Sequence, residues 1–441
     1  MRKVILLLTI CSLSVGLYAE DHVMAATKSQ ESRAKSQETL SLSLAEAQQY
    51  ALEQNRSLKN ASLAVQEAYA ARWQTIAAML PQVDVSYAYS NMFNYKLDFN
   101  GMAMPMANTG TFNVTAGVGL NGQAIVGALL NNIAIDMKKI ALEQSESQLC
   151  GSVMASYVSV LALQSIAGLL DSSLVNIQEL ETITQHAVDA GAAEQTSADQ
   201  IRVRVNTLKN SINMQRYSIE LAISSLKVLL DVPVETELTL TEDLDAVLSP
   251  DRVLTLLAEN FSIDNNLNYQ LLEKQVDLAK KNVHMAGWAY GPTVSLAYQY
   301  SDVTKFGDGF GGMAMPHVLN LSVKMPLWSS GKRAAGVVEK KIALEEAKNT
   351  LEETTANLEI QYHQLCFNLT NAYETYLNEK ENIEVSQRVF ASATNKYKYG
   401  ASSNMELTNA SNDLINAQSN YVQAVLSLVN AQVELEKFLN N

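Results

Sequence analysis

The chain has 441 residues, 47% hydrophobic and 18% charged, with a formal net charge of −14. So apolar a chain is not disordered, and so acidic a chain offers no basic surface to nucleic-acid phosphates. The seven prolines, at 81, 105, 233, 250, 292, 316 and 326, leave 106–232 and 327–441 free of the residue that costs a helix interior about 3 kcal/mol, so very long helices are expected there.

Arg2 and Lys3 precede an apolar stretch over 4–17, which gives way to Glu20 and Asp21. This is the pattern of a secretory signal peptide over 1–19, with the cut after Ala19 or, by the Val23-Met24-Ala25 pattern, after Ala25. Cys11 sits inside the apolar stretch behind the bulky Ile10, so lipidation is not predicted. No other apolar run is read as approaching membrane-spanning length, which argues against a polytopic helical membrane protein. A polar segment, 20–42, follows. Cys150 and Cys366 remain after cleavage, both in heptad sequence, and are expected to be buried free thiols.

From 43 onward the chain repeats itself. Gly101-Met102-Ala103-Met104-Pro105 returns as Gly312-Met313-Ala314-Met315-Pro316, and Pro81 as Pro292. Lys138-Lys139-Ile140-Ala141-Leu142-Glu143 returns as Lys340-Lys341-Ile342-Ala343-Leu344-Glu345, and Gly191 as Gly400. The chain therefore reads as two tandem units, 43–230 and 263–441, joined by an acidic linker over 231–262. Each unit runs helix, strand, strand, long helix, turn, helix. In the first, a helix over 43–79 ends at Pro81, and strands are predicted over about 82–95 and 111–124. Val83, Val85, Tyr87 and Tyr89 alternate with polar or small residues, as do Phe112, Val114, Ala116, Val118 and Leu120. A long helix over 128–190 and a shorter one over 197–230 carry 4-3 seams, Leu149, Val153, Val160 and Leu170 in one, Ile201, Val205, Leu208 and Ile212 in the other. The two shorter helices, stacked end to end, match the long one. The second unit repeats this, with strands over about 292–304 and 317–327 and an unbroken seam from Leu414 to Phe438.

The fold class is thus mainly α with a small β part, the helices forming a coiled-coil assembly. Four strands with one apolar face leave two open edges. Lipid is spanned only by a closed barrel of at least about eight strands, so one chain is short of a barrel and several copies complete it. A soluble sheet is the competing reading.

Pro326-Leu327-Trp328-Ser329-Ser330-Gly331-Lys332, the following Lys341-Ile342-Ala343-Leu344-Glu345, Tyr397-Lys398-Tyr399-Gly400 and Leu414-Ile415-Asn416-Ala417-Gln418 make the chain resemble TolC-like outer-membrane efflux proteins over nearly its whole length. In the first unit Ala124 stands where the second has Pro326, so that junction departs from the pattern. The resemblance implies a homotrimer, a twelve-stranded transmembrane β-barrel in outer-membrane lipid and a twelve-helix periplasmic tube constricted at its tip. It implies an exit duct fed by a periplasmic adaptor and an inner-membrane transporter, passing drugs, detergents or metal ions. A duct for type I protein secretion remains an alternative, and a secreted coiled-coil structural protein a more distant one.

The tip residues follow from the same resemblance. The two helix-to-helix turns carry Gly191 and Gly400, which reverse the chain. In the family a tyrosine three before the second glycine, an arginine two after it and acids six after each glycine form the constriction. Tyr397 and Glu406 match; Ser402 replaces the arginine and Ser197 the first acid. That ion pair is therefore not expected, and a resting tip less firmly closed is. Thr196 lies in the same turn, and Glu194 and Asp199 are the nearest substitute acids. Ser197 and Ser403 also read as helix N-caps. The five histidines show no metal-ligand spacing, and the glycine-rich 307–312 lacks the Gly-Lys-Ser/Thr of a phosphate loop, so no cofactor, metal site or enzyme activity is predicted.

Overall fold

A computed structural model describes residues 40–439 except 94, 100, 192, 248–249, 260 and 312–314. The predicted signal peptide and most of the polar segment lie outside the described residues. The elements run β1 (Leu40–Leu42), α1 (Leu44–Gln54), α2 (Arg56–Ala77), β2 (Gln82–Ser90), β3 (Lys96–Phe99), β4 (Met102–Pro105), β5 (Asn108–Asn121), α3 (Gly122–Asp189) and α4 (Gln195–Leu230). Then come β6 (Leu238–Leu240), α5 (Leu244–Val247), α6 (Pro250–Ala258), α7 (Leu267–Gly287), β7 (Thr293–Phe306), β8 (His317–Lys324), α8 (Lys332–Lys398) and α9 (Asn404–Leu439).

The expected single helix over 43–79 is two, and the break has a cause. Asn55, only 8% exposed, takes an extended ψ of 127° between α1 and α2. Its Oδ1 accepts the Ser57 and Leu58 N–H groups at 2.8 and 3.2 Å, capping α2, while its Nδ2 donates to the Leu229 carbonyl at the end of α4, 2.8 Å away. The second unit repeats the device. Asn266, 2% exposed, accepts from the Asn268 and Tyr269 N–H groups and donates to the Phe438 carbonyl at the end of α9. One buried asparagine per unit thus pins two short helices where they meet end to end, and this lets α2 with α4 run alongside the 68-residue α3. Asn55→Ala or Asn266→Ala removes a cap worth about 1 kcal/mol and leaves a helix-end carbonyl without its donor. Each substitution is expected to lower the thermal midpoint by several degrees. Asn55→Ser, which keeps a capping acceptor and loses the donor to Leu229, should fall between. Equal midpoints for wild type and Asn55→Ala would contradict the pin.

The heptad seams are where the core lies. Val153, Val160, Leu170, Ile201, Val205 and Leu208 are buried, as is every residue of the α9 seam from Leu414 to Phe438. α3 is enclosed by α1, α2 and α4 of its own unit and by α7 and α9 of the other. It contains an apolar stretch without charges, 147–170, in addition to the N-terminal apolar run. By length and composition it is apolar enough to cross a membrane, yet half of its apolar window is buried against those neighbours. α8 packs on α7 and α9.

The linker is not simply solvated. β6 pairs in parallel with β1, Leu40 opposite Leu238 and Leu42 opposite Leu240. Glu242 accepts the Leu44 N–H at 2.9 Å, beside the Ser43–Glu46 capping box. That box holds the Glu46 carboxyl below its ordinary range, chiefly through hydrogen bonds from Ser43. The fully enclosed Tyr157 donates to the Leu42 carbonyl and ties α3 to the same small sheet. Cys150 and Cys366 are free, as expected, but half-buried. Burial first, then Glu146 and Glu436, pushes the Cys150 thiol up.

Candidate functional site

Two regions carry the residues singled out by sequence, the sheet and the opposite end of the helices. The four strands form one antiparallel sheet in the order β2-β5-β7-β8, so β2 and β8 are its open edges. The first strand stops at Ser90 rather than 95, and the repeated Met102-Ala103-Met104-Pro105 segment is β4, paired with β3 in a separate hairpin. The last strand stops at Lys324 rather than 327, because the chain enters Pro326 and then turns through Ser330 (φ 48°) and Gly331 (φ 82°). In the first unit, without that proline, β5 runs straight into α3, and Trp288 lies so close over Gly122 that no larger residue fits.

Register places the alternating apolar residues on one face. Val85 is opposite Val114 and Tyr87 opposite Phe112; Ala116 faces Tyr298, Leu120 faces Val294, and Leu296 faces Leu321. This face is bare: Val83, Tyr87, Leu319 and Leu321 are each more than 60% exposed. The other face is polar, with Ser86, Asn113 and Ser301 in one row and the Ser301 hydroxyl bonded to the Asn113 side chain. A sheet that shows water its hydrocarbon side is built for a different solvent on that side. The helices also leave apolar side chains bare on two outer flanks, Met214, Tyr217 and Leu221 on α4 and Ile360 and Phe367 on α8.

At the far end the two turns are closed by Gly191 (φ 73°) and Gly400 (φ 71°). The Gly400 N–H donates to the Tyr397 carbonyl at 2.9 Å and the Ala401 N–H to the Lys396 carbonyl at 2.8 Å, so α8 ends with its last carbonyls satisfied. Tyr397 packs against the hydrophobic interior. Glu406, one turn into α9, accepts from the Ser402 hydroxyl at 2.8 Å and lies 3.9 Å from Lys396. Lys396 therefore offers a cation near Glu406 where the family arginine is missing at Ser402. The Ser403 hydroxyl accepts the Glu406 N–H, the N-cap expected of it. Ser197 is no cap: it lies within α4, whose cap position is held by an extended Glu194. Thr196 donates to Glu194 at 3.2 Å and Gln195 to Asp199 at 3.0 Å, so both acids are engaged within their own turn.

The ties between the two hairpins were not foreseen. Lys398 on α8 donates to Glu179 on α3, and Arg204 on α4 donates to Asn412 on α9 at 3.2 Å. The hydrogen bond it donates to the Glu179 carboxylate holds the Lys398 ammonium above its ordinary range, so it is charged at neutral pH. Lys396 and Lys398 flank Tyr397 in the motif itself, but a single sequence does not show which helix each one reaches. A groove of about 630 Å³ between α8 and α9, lined among others by Arg388, Lys396, Glu406 and Asp413, opens beside the turn.

Comparisons with known proteins agree with this geometry. Residues 262–441 match the family model described as "Outer membrane efflux protein". The chain is 22% identical over 305 residues to the "Probable efflux pump outer membrane protein TtgC" of Pseudomonas putida, covering 68% of this chain and 62% of that protein. It is 21% identical over 384 residues to the "Toxin and drug export protein A" of Aggregatibacter actinomycetemcomitans, covering 87% and 82%. The chain thus spans about three fifths of the length of the first curated relatives it matches. Among solved structures, CusC superposes with a TM-score of 0.71 at 17% identity over 93% of this chain and 96% of that one. The CmeC outer membrane channel of Campylobacter jejuni superposes at 0.68, with 15% identity over 90% and 85%.

Proposed function

We propose that this chain is a TolC-like outer-membrane efflux protein and the exit duct of a tripartite efflux system. The observation that carries the reading is the four-stranded sheet with one bare apolar face and two open edges. Three copies supply twelve strands, more than the eight or so that closure needs, with the apolar face in outer-membrane lipid and the polar face around water. The bare flanks of α4 and α8 meet in the same ring and continue the lumen as a helical tube. The duct is passive and uses no cofactor. A periplasmic adaptor and an inner-membrane transporter deliver small molecules to it, and the transporter selects them. The tip turns with Tyr397, Ser402 and Glu406 form the constriction, held by the two ties between hairpins.

Deleting the gene from its own host is expected to sensitise cells to drugs, detergents or metal ions while leaving secreted proteins unchanged. A second reading, protein export, is favoured by the relative named for both toxin and drug export. Loss of a secreted protein with unchanged sensitivity in the deletion strain would select it.

A further inference from the structure

The internal duplication specifies what the open edges of the sheet are built to meet. β5 is longer than its hairpin partner requires: Gln82 pairs with Gly117, and the extension 118–121 is covered by β7 alone, from Val118 opposite Leu296 to Asn121 opposite Thr293. β8 stands in the second unit where β5 stands in the first. Tyr298 pairs with Leu319 as Tyr87 does with Phe112, and Thr293 with Lys324 as Gln82 does with Gly117. Met325 to Trp328 therefore occupy the place of 118–121. In this chain they pair with nothing, because the strand equivalent to β7 is β2, which lies at the opposite edge of the sheet. Met325, Leu327 and Trp328 are 59%, 86% and 86% exposed.

We propose that 325–328 is a strand extension completed by β2 of a second copy of this chain, in the register of β5 on β7. This rests on the duct reading and adds the seam to it. Transferring Asn121 opposite Thr293 puts Trp328 opposite Gln82 of the partner subunit. Leu327 then faces Val83 of the partner subunit, Met325 faces Val85 of the partner subunit, and Val323 faces Tyr87 of the partner subunit. The Leu327, Met325 and Val323 pairs fall on the apolar face and Trp328 with Gln82 of the partner subunit on the other, the phase that a slip of one residue would reverse along the whole strand. Lys324 becomes a diagonal neighbour of Asp84 of the partner subunit, a complementary charge. Pro326 fits as well. It has no N–H and its carbonyl accepts from Arg333 of its own helix, so Met325 and Leu327 on either side carry the ladder to the partner. Leu327 thus extends the lipid-facing band by one rung only after assembly.

The test is disulfide formation in the full chain carrying C11S, C150S and C366S. Directly opposed antiparallel residues lie about 4.5–5.5 Å apart at Cα, within disulfide reach, whereas diagonal ones lie about 7–8 Å apart, beyond it. M325C/V85C is expected to give a reducible covalent trimer on oxidation, more than about fivefold above M325C/V83C and M325C/Y87C, because only the opposed pair is in range. Either single cysteine should give none. If a shifted pair cross-links as well or better, or if none does while the detergent-solubilised particle keeps a trimeric mass, the register is wrong and the duct reading stands. A monomeric particle would overturn both.

Discussion

Arginine at both Leu296 and Leu321 is expected to abolish stable insertion into the outer membrane. The two leucines are directly opposed on neighbouring strands, on the bare apolar face, inside the hairpin formed by β7 and β8. An arginine facing lipid costs up to about 2–4 kcal/mol, most at the bilayer midplane, and two in contact add their mutual repulsion. The pair in every chain is thus a large fraction of a typical margin of about 5–15 kcal/mol for a folded protein. Ser322→Arg, one step along the same strand but on the polar face, should be accepted, because that side meets water. The measurement is the fraction of protein recovered in urea-resistant outer-membrane extracts as a heat-labile oligomer. Equal loss for L296R/L321R and S322R would mean that the two faces do not differ in solvent, and equal recovery would mean that neither meets lipid.

Cutting the two ties between hairpins is expected to raise the resting conductance of the duct. Lys398–Glu179 and Arg204–Asn412 each cross from one helical hairpin to the other near the turns. All four groups are at or near the surface, so each link alone is weak. Three copies carry six links, and their joint loss shifts the closed-to-open equilibrium toward the open state. K398M/N412A in planar bilayers should therefore conduct at rest above wild type, and high salt should raise wild-type conductance relative to bulk conductivity toward that of the variant, since the exposed Lys398–Glu179 pair is screened. Conductance of the double variant equal to wild type would assign the constriction to other residues. Glu406→Gln, which keeps the Ser402 hydrogen bond and loses attraction to Lys396, should have a smaller effect in the same direction.

Periodicity made the architecture legible. A 4-3 repeat through Leu149–Ile177 or Leu414–Phe438 has only one packing solution, and a 2-repeat through Val83–Tyr89 only one kind of sheet face. The duplication made the pairing of the units legible too. What escaped were features set by single side chains acting on the main chain. Asn55 looks like any polar residue in a helical pattern until its partner, the Leu229 carbonyl, is brought to it from 174 residues away. β1 and β6 are three residues each, too short to show alternation. The tip was half legible: Gly191 and Gly400 announce the turns, but the Ser402–Glu406 hydrogen bond and the partners of Lys396 and Lys398 come only from the folded helices. Ser197 was misplaced because an extended Glu194, without a side-chain bond, took the cap position.

The account depends on one chain holding a third of a barrel. Native mass spectrometry of the full-length protein, released from outer membranes in mild detergent, tests this most directly. A particle of three chains that falls to single chains only when heated is the expected result. A stable single chain, or an even-numbered assembly, would leave the β2 and β8 edges unexplained and contradict the duct.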